Sequence, residues 1–210
     1  MGIFRDNGYM ARIPTKDELK ELYIDKKQSL SEIAIKLGFK THKVIYWMDK
    51  YGIVRRKRSE ANYIKHNPDG EPFCIKTRLT RDEVKLKYLA LGLYWGEGNK
   101  TTSYAVRVTN SDPGVIKQFM LYLRIICRAK EDKFGYYLQT FKDNDLVKAR
   151  KYWGRMLGID PDTIKTTKPI HSMGKGTYKK ICKHGVMTVG FFNTHLKSYI
   201  MNELGKLGMK

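Results

Sequence analysis

The sequence predicts an α+β fold, with a small helical N-terminal domain followed by a larger domain of antiparallel strands and packed helices. Three observations predict it. Three stretches of helical apolar periodicity follow one another before residue 52. A segment rich in turn-forming residues comes next, at residues 66–72. Beyond residue 80, strand-like alternation and amphipathic helical segments take turns along the chain.

The charge of the chain points to a polyanionic partner. The 210 residues include 41 Lys and Arg against 21 Asp and Glu, a formal net charge of +20. Nucleic acid is the usual partner of such a surface, although a basic proteome also produces basic proteins. No apolar run approaches the roughly 20 residues of a spanning helix, and no signal peptide opens the chain, so we expect no membrane partner.

Three cysteines are too widely spaced to suggest a metal site or a disulfide framework. They are Cys74, Cys127 and Cys182. No pair has metal-ligand spacing and the number is odd, so we interpret them as reduced thiols in a cytoplasmic protein.

The N-terminal third contains the three predicted helices. Thr15 is a good N-cap for the first, and Ser29 is one for the second. Gly38 ends the second helix, because glycine adopts a positive φ at little cost. Thr41 is the predicted cap of the third helix, which runs to about Gly52.

The spacing of three residues within these helices is typical of a helix-turn-helix. Ala34 would allow a close helix crossing, Gly38 would make the turn, and Val44 would anchor the second helix. A three-helix bundle without a partner has the same pattern. In the helix-turn-helix interpretation, the residues predicted to face DNA are Thr41, His42, Lys43 and Tyr46.

A basic run follows the third helix. It consists of Arg55, Arg56, Lys57 and Arg58. Such runs are often only solvated surface, but this run lies where the chain would leave the DNA groove, a position that favours phosphate contacts. We therefore predict a helix-turn-helix domain at residues 1–64, a linker at 65–79 and a second domain at 80–210.

The second domain opens with a helix that carries two glycines and ends on an acid. Thr80 is a plausible cap, and Gly92 and Gly96 lie four residues apart on one face. Each glycine costs a helix about 1 kcal/mol relative to alanine, so the pair suggests close packing of another helix. Glu97 lies at the C-terminal end, where the helix dipole disfavours an anion and a bound cation would reverse that effect.

Residues 89–98, LALGLYWGEG, resemble the signature of the LAGLIDADG homing endonucleases. Gly92 and Leu93 match the first Gly-Leu of that signature, and Glu97 and Gly98 match its terminal acidic-Gly pair. The resemblance implies that two such helices pack side by side at a symmetry axis and that their carboxylates bind Mg²⁺. It also implies a curved antiparallel sheet along the major groove.

The same resemblance assigns roles to individual residues. Glu97 becomes the metal ligand with the Gly98 carbonyl beside it, and Gly92 and Gly96 become the contact between helices. Trp95 stands where the signature usually has its first aspartate, a variable position that does not bind metal. The family's catalytic lysine has no local motif, and Lys100 is the nearest candidate. Because one acidic motif is present, the second carboxylate would come from a second subunit.

The remaining elements are read from periodicity. Strands are predicted at residues 104–109, 136–141, 163–170 and 186–192. Helices are predicted after Asp112, after Asp145 with an end at Gly158, and from Asn193 to about Leu204. Arg107 on the first strand and Lys175 in the basic stretch 173–180 are further predicted DNA contacts.

These observations lead to one functional hypothesis and one alternative. The hypothesis is a site-specific, Mg²⁺-dependent DNA endonuclease that hydrolyses phosphodiesters as a homodimer on a near-palindromic duplex. The alternative is a DNA-binding transcription regulator that has the same fold and no nuclease activity.

Overall fold

The structure, a computed structural model, describes residues 13–142, 144–169 and 182–209. These residues form two compact units, unit 1 up to Gly70 and unit 2 from Glu71 onward. Each unit has a hydrophobic core of its own. The fold class is α+β, as the alternation of patterns predicts.

Unit 1 is helical in the part of the chain that the structure describes. Its elements are α1 (Lys16–Lys20), which continues directly as a π-helical turn (Glu21–Asp25), α2 (Leu30–Lys36), α3 (Thr41–Lys50) and α4 (Arg58–His66). The Thr15 side chain accepts a hydrogen bond from the Glu18 amide, and Ser29 forms a capping box with Glu32. Gly38 has a φ of 68°, the left-handed conformation that ends α2.

Two details of unit 1 differ from the sequence-based expectation. Thr41 is the first helical residue of α3 and not its cap, because Lys40 occupies the N-cap position without a side-chain hydrogen bond. Helix α4 was not predicted and begins within the basic run, at Arg58. None of its residues is buried, so its sequence lacks the apolar periodicity by which a helix is recognised.

The core of unit 1 contains the small and branched residues of the predicted turn motif. Ala34 and Val44 are both buried. They pack in one cluster with Leu19, Leu22, Tyr23, Ile33, Met48 and Ile53. A close crossing of α2 and α3 is therefore possible where Ala34 lies.

Unit 2 has four α-helices and four strands among its described residues. They are α5 (Arg81–Glu97), β1 (Val106–Asn110), α6 (Pro113–Ile125), β2 (Phe134–Gln139), α7 (Leu146–Leu157), β3 (Ile164–Thr166), β4 (Val186–Phe191) and α8 (Thr194–Lys206). Asp112, Asp145 and Asn193 each accept a backbone N–H at a helix start. Gly158, with a φ of 65°, ends α7.

The four strands form one mixed sheet in the order β1-β4-β2-β3. β4 pairs antiparallel with β1 and with β2, whereas β2 and β3 are parallel. The prediction of a wholly antiparallel sheet was therefore wrong. The reason is that α7 lies between β2 and β3 as a crossover, which returns the chain in the same direction. β3 is also only three residues long, shorter than the predicted strand at 163–170.

One face of the sheet carries the core, and the other carries polar and glycine residues. Val106, Val108, Met187, Val189 and Leu138 point to the core that α5, α6, α7 and α8 cover. The outward positions of the central row are Arg107, Gly190 and Gly135, which lie opposite one another in the register. The outward face of the sheet therefore carries Arg107, whose side chain is half-buried there.

The predicted linker at 65–79 belongs in part to unit 2. The Cys74 amide donates to the Cys127 carbonyl at 2.9 Å, and the Lys76 amide donates to the Ile126 carbonyl at 2.8 Å. Phe73, Ile75 and Leu79 pack against the unit 2 core. Their apolar side chains explain why this segment is not a free connection. None of the described helices is long and apolar enough to cross a membrane.

Candidate functional site

Helix α5 buries one side and leaves the other open. Ala90, Leu91 and Tyr94 are buried in the unit 2 core. On the opposite side, a Cβ added at Gly92 or at Gly96 would meet no atom within 4 Å. The two glycines therefore face open space within the described part of the chain.

Large apolar side chains border these glycines. Tyr88 is 52% exposed, Leu89 49% and Trp95 48%. Exposed aromatic and aliphatic groups beside small residues give a surface suited to close contact with another apolar surface.

Glu97 is the last residue of α5 and its side chain is exposed. Among the described residues it has no hydrogen-bond or ion-pair partner. The carbonyl groups at a helix C-terminus carry partial negative charge, so this carboxylate lies where a cation is favoured. Glu97 is therefore an exposed acidic group at a helix end, without a partner in the part of the chain that the structure describes.

The turn after Glu97 is tied to the first strand. Gly98 forms an isolated bridge with Val108, and the Asn99 amide donates to the Arg107 carbonyl at 2.9 Å. A Cβ at Gly98 would overlap the carbonyl and ring of Tyr94, so glycine is required by this close approach. Lys100 donates from Nζ to the Gly98 carbonyl at 3.3 Å.

A buried lysine reaches the same turn from α8, and the sequence interpretation missed it. Lys197 is 3% exposed. Its Nζ donates to the Tyr94 hydroxyl at 2.6 Å and to the Asn99 carbonyl at 2.5 Å. Its position four residues after the Asn193 cap and three before buried Ile200 places it on the apolar stripe of α8. A lysine on the apolar stripe of a predicted helix is the sequence feature that could have identified Lys197.

Three cations gather around this turn. Burial lowers the pKa of Lys197, and the positive charges of Lys100 and Arg107 lower that pKa further. Burial also raises the pKa of Tyr94 to about 12, against the opposing effect of Arg107. The Arg107 guanidinium donates to the Thr102 hydroxyl at 3.1 Å, while its Nε is buried without a partner in the described residues. An anion bound here would neutralise part of this mutual repulsion.

The described residues of one chain do not make up a complete metal site. The described residues contain no group of three His, Cys, Asp or Glu side chains that could hold a metal ion. Glu97 supplies one carboxylate, and the Gly98 carbonyl beside it already accepts the Lys100 hydrogen bond. Mg²⁺ takes one or two carboxylates and several waters, so Glu97 supplies at most part of a Mg²⁺ site among the described residues.

The outward face of the sheet is basic and partly aromatic. Arg107 and Lys165 contribute positive charge, and Lys165 lies over the Tyr137 ring at 5.9 Å. Thr109 and Thr188 share a hydrogen bond of 2.7 Å across the strands. None of the outward residues of the four described strands is acidic. Such a surface is complementary to a polyanion.

In unit 1, α3 presents the predicted DNA-facing residues at its surface. His42, Lys43 and Tyr46 are exposed, and Thr41 is half-buried at the helix start. Lys43 lies over the Phe39 ring at 5.2 Å. These side chains are available for contact with a partner.

The basic run after α3 does not act as one group. Arg56 stacks over Tyr23 at 4.0 Å and donates to the Lys27 carbonyl at 3.1 Å, so it is directed at its own unit. The Nε atom of Arg55 lies 3.6 Å from Oδ1 of Asp49, whereas the side chains of Lys57 and Arg58 are exposed. The predicted DNA contact Lys175 lies outside the described residues.

No protein-family model, curated protein or solved structure matches this chain.

Proposed function

We propose that this chain is a site-specific endonuclease that binds duplex DNA and hydrolyses phosphodiesters with Mg²⁺ as a homodimer. The proposal combines the resemblance of residues 89–98 to the LAGLIDADG signature with one structural observation. That observation is the exposed carboxylate of Glu97, which directly precedes a turn surrounded by Lys100, Arg107 and Lys197. A carboxylate at the start of such a turn and cations around it are groups that metal-assisted hydrolysis of a phosphodiester can use.

The DNA part of the proposal is supported by charge and exposure. The net charge is +20, and His42, Lys43 and Tyr46 project from α3. A helix-turn-helix would place these three side chains against base edges and phosphates of the major groove. Arg107 and Lys165 would contact the backbone of the duplex from the sheet.

The homodimer is supported by the open face of α5. Gly92 and Gly96 have free space above them and are bordered by exposed Tyr88, Leu89 and Trp95. A second copy of the same helix would pack against this face, and a two-fold contact would bury the same surface on both chains. It would also bring together two Glu97 carboxylates, one from each chain.

The chemistry assigns a task to each group. Two Glu97 carboxylates would hold the divalent cation, and Mg²⁺ when bound polarises the phosphate and lowers the pKa of water. Water oxygen forms a bond to phosphorus and the bond to the 3′ oxygen breaks. The attacking water loses a proton to solvent, and the 3′ oxygen gains one. Lys100 and Arg107 offset the negative charge that grows on the phosphate oxygens. We expect the protein to act in the cytoplasm, where its three cysteines would remain reduced.

The test is cleavage of a randomised duplex library with Mg²⁺, with Ca²⁺ as the non-cleaving metal. Glu97→Gln removes the carboxylate and should abolish cleavage while DNA binding remains. Asp82→Asn is the matched control, because Asp82 is an exposed acid at the other end of α5. It should cleave like the wild type.

The outcomes separate the two functional candidates. Discrete Mg²⁺-dependent cuts that Glu97→Gln loses would support the nuclease and reveal its site. Retention of specific duplexes without cutting in any metal would instead identify a DNA-binding regulator on the same fold. Absence of duplex binding at low salt would overturn both.

A further inference from the structure

The buried lysine on α8 gives α5 a contact that fixes the residues on both sides of Glu97. Tyr94 lies three residues before Glu97, and its hydroxyl donates to the Asn99 carbonyl at 2.6 Å. Lys197 donates to both of these oxygens, at 2.6 and 2.5 Å. Three hydrogen bonds thus join one side chain of α5, one of α8 and the backbone two residues after Glu97.

The surroundings of Lys197 show that this ammonium group acts inside the protein. The side chain is 3% exposed, and Nζ lies over the Tyr94 ring at 5.0 Å. No carboxylate among the described residues forms an ion pair with it. A buried charge without a carboxylate partner costs several kcal/mol in general, so an apolar residue would be the cheaper choice for packing alone. Lys197 instead donates hydrogen bonds to a hydroxyl and a carbonyl oxygen, which an apolar side chain could not do.

We propose that Lys197 is a positioning residue for Glu97: it fixes the turn at Gly98 and Asn99 and does not contact DNA. The inference rests on the proposed function for its catalytic consequence, since it assumes that Glu97 binds the metal. The mechanism is orientation of a ligand through the backbone that follows it. Removal of groups that hold metal ligands by direct hydrogen bonds typically changes activity or metal affinity roughly 10- to 100-fold, and we expect an effect of that order here.

The test compares Lys197→Met with Tyr94→Phe and with a matched control. Methionine keeps the length and apolar stem but donates no hydrogen bond, and the bond from Tyr94 to Asn99 remains to hold the fold. Tyr94→Phe removes the shared hydroxyl. Lys87→Met is the control, because Lys87 also joins α5 to α8 through an ion pair with Glu203, far from the turn. Glu203 keeps its 2.6 Å pair with Lys206 in that variant.

The expected result has two parts that a purely structural role would not produce together. Lys197→Met should lower kcat roughly 10- to 100-fold, with the affinity for the selected duplex and its salt dependence unchanged. Tyr94→Phe should lower kcat in the same direction, and Lys87→Met should leave kcat unchanged well below its melting temperature. Unchanged kcat in Lys197→Met would overturn the proposal. A salt slope of log K reduced by about 0.9 would also overturn it, because that is the signature of a lost phosphate contact.

Hydrogen exchange keeps the inference testable if the wild type does not cleave. The Gly98 amide donates to the Tyr94 carbonyl, and the Asn99 amide donates to the Arg107 carbonyl. Both amides should exchange faster in Lys197→Met and not in Lys87→Met. Absence of cleavage by the wild type would remove the proposed nuclease. Unchanged exchange at these two amides would instead remove the positioning role.

Discussion

Arg56 contacts its own unit, although in the sequence it belongs to a run of basic residues predicted to bind DNA. Its guanidinium covers Tyr23 and binds the carbonyl of Lys27, a residue in the left-handed conformation with a φ of 52°. The Tyr23 hydroxyl in turn accepts a hydrogen bond from the Arg56 amide at 2.7 Å. The side chain therefore binds the backbone just after the π-helical turn that continues α1.

Arg56→Ala should destabilise unit 1 by about 1–2 kcal/mol, through the lost cation–π contact and hydrogen bond. DNA affinity of the folded protein should keep its salt slope. Lys57→Ala is the neighbouring control, since Lys57 is exposed. It should leave stability within about 0.5 kcal/mol and reduce the salt slope by about 0.9 if it touches a phosphate. Thermal unfolding and salt titration of binding measure both. A salt slope that falls in Arg56→Ala would contradict this assignment.

At the scale of elements, the open face of α5 predicts opposite effects on folding and association. Gly92→Ala should stabilise the monomer by about 0.5–1 kcal/mol, because alanine favours the helix and its Cβ meets nothing within 4 Å. The same methyl group should weaken dimerisation about tenfold, since overpacking a close contact costs about 1–3 kcal/mol. Thermal unfolding at low concentration and sedimentation equilibrium measure the two effects.

Gly205→Ala in α8 is the matched control. Gly205 is also helical and also has free space around its Cβ position. It should raise stability by a similar amount and leave association unchanged. Equal association of the wild type and the Gly92→Ala variant would mean that this face of α5 is not the dimer contact.

Elements were predictable where their signals are local. The caps Asp112, Asp145 and Asn193 and the terminating Gly158 mark helix ends that the structure has within a residue or two. The parallel pairing of β2 and β3 was not predictable, because strand direction depends on where a crossover packs. α4 was missed because it buries no residue.

The same distinction applies to the candidate site. Glu97, Gly98 and Lys100 are close in sequence, so a short motif brings them into one hypothesis. Lys197 meets the Asn99 carbonyl across 98 positions of chain. No local pattern carries such a contact, and only its place on the apolar stripe of α8 marks it.

At the scale of the whole molecule, the two cores are separate. Unit 1 closes around Ile33, Val44 and Met48, and unit 2 closes around residues from α5 to α8 and the sheet. Both units expose basic side chains, on α3 in one and on the sheet in the other. If both surfaces bind DNA, their connection makes the second contact intramolecular, which raises affinity without any new interaction.

The chain divided at Gly70 tests this coupling. Fragments 1–70 and 71–210 should each fold and bind duplex weakly, while the intact chain should bind roughly 10²- to 10⁴-fold more tightly than the better fragment. The salt slopes of the two fragments should sum to that of the intact chain, because each slope counts phosphates contacted. Binding isotherms at several salt concentrations measure both quantities, and a mixture of the fragments is the control that lacks the connection. An intact chain no tighter than its better fragment would show that the two units do not engage one duplex together.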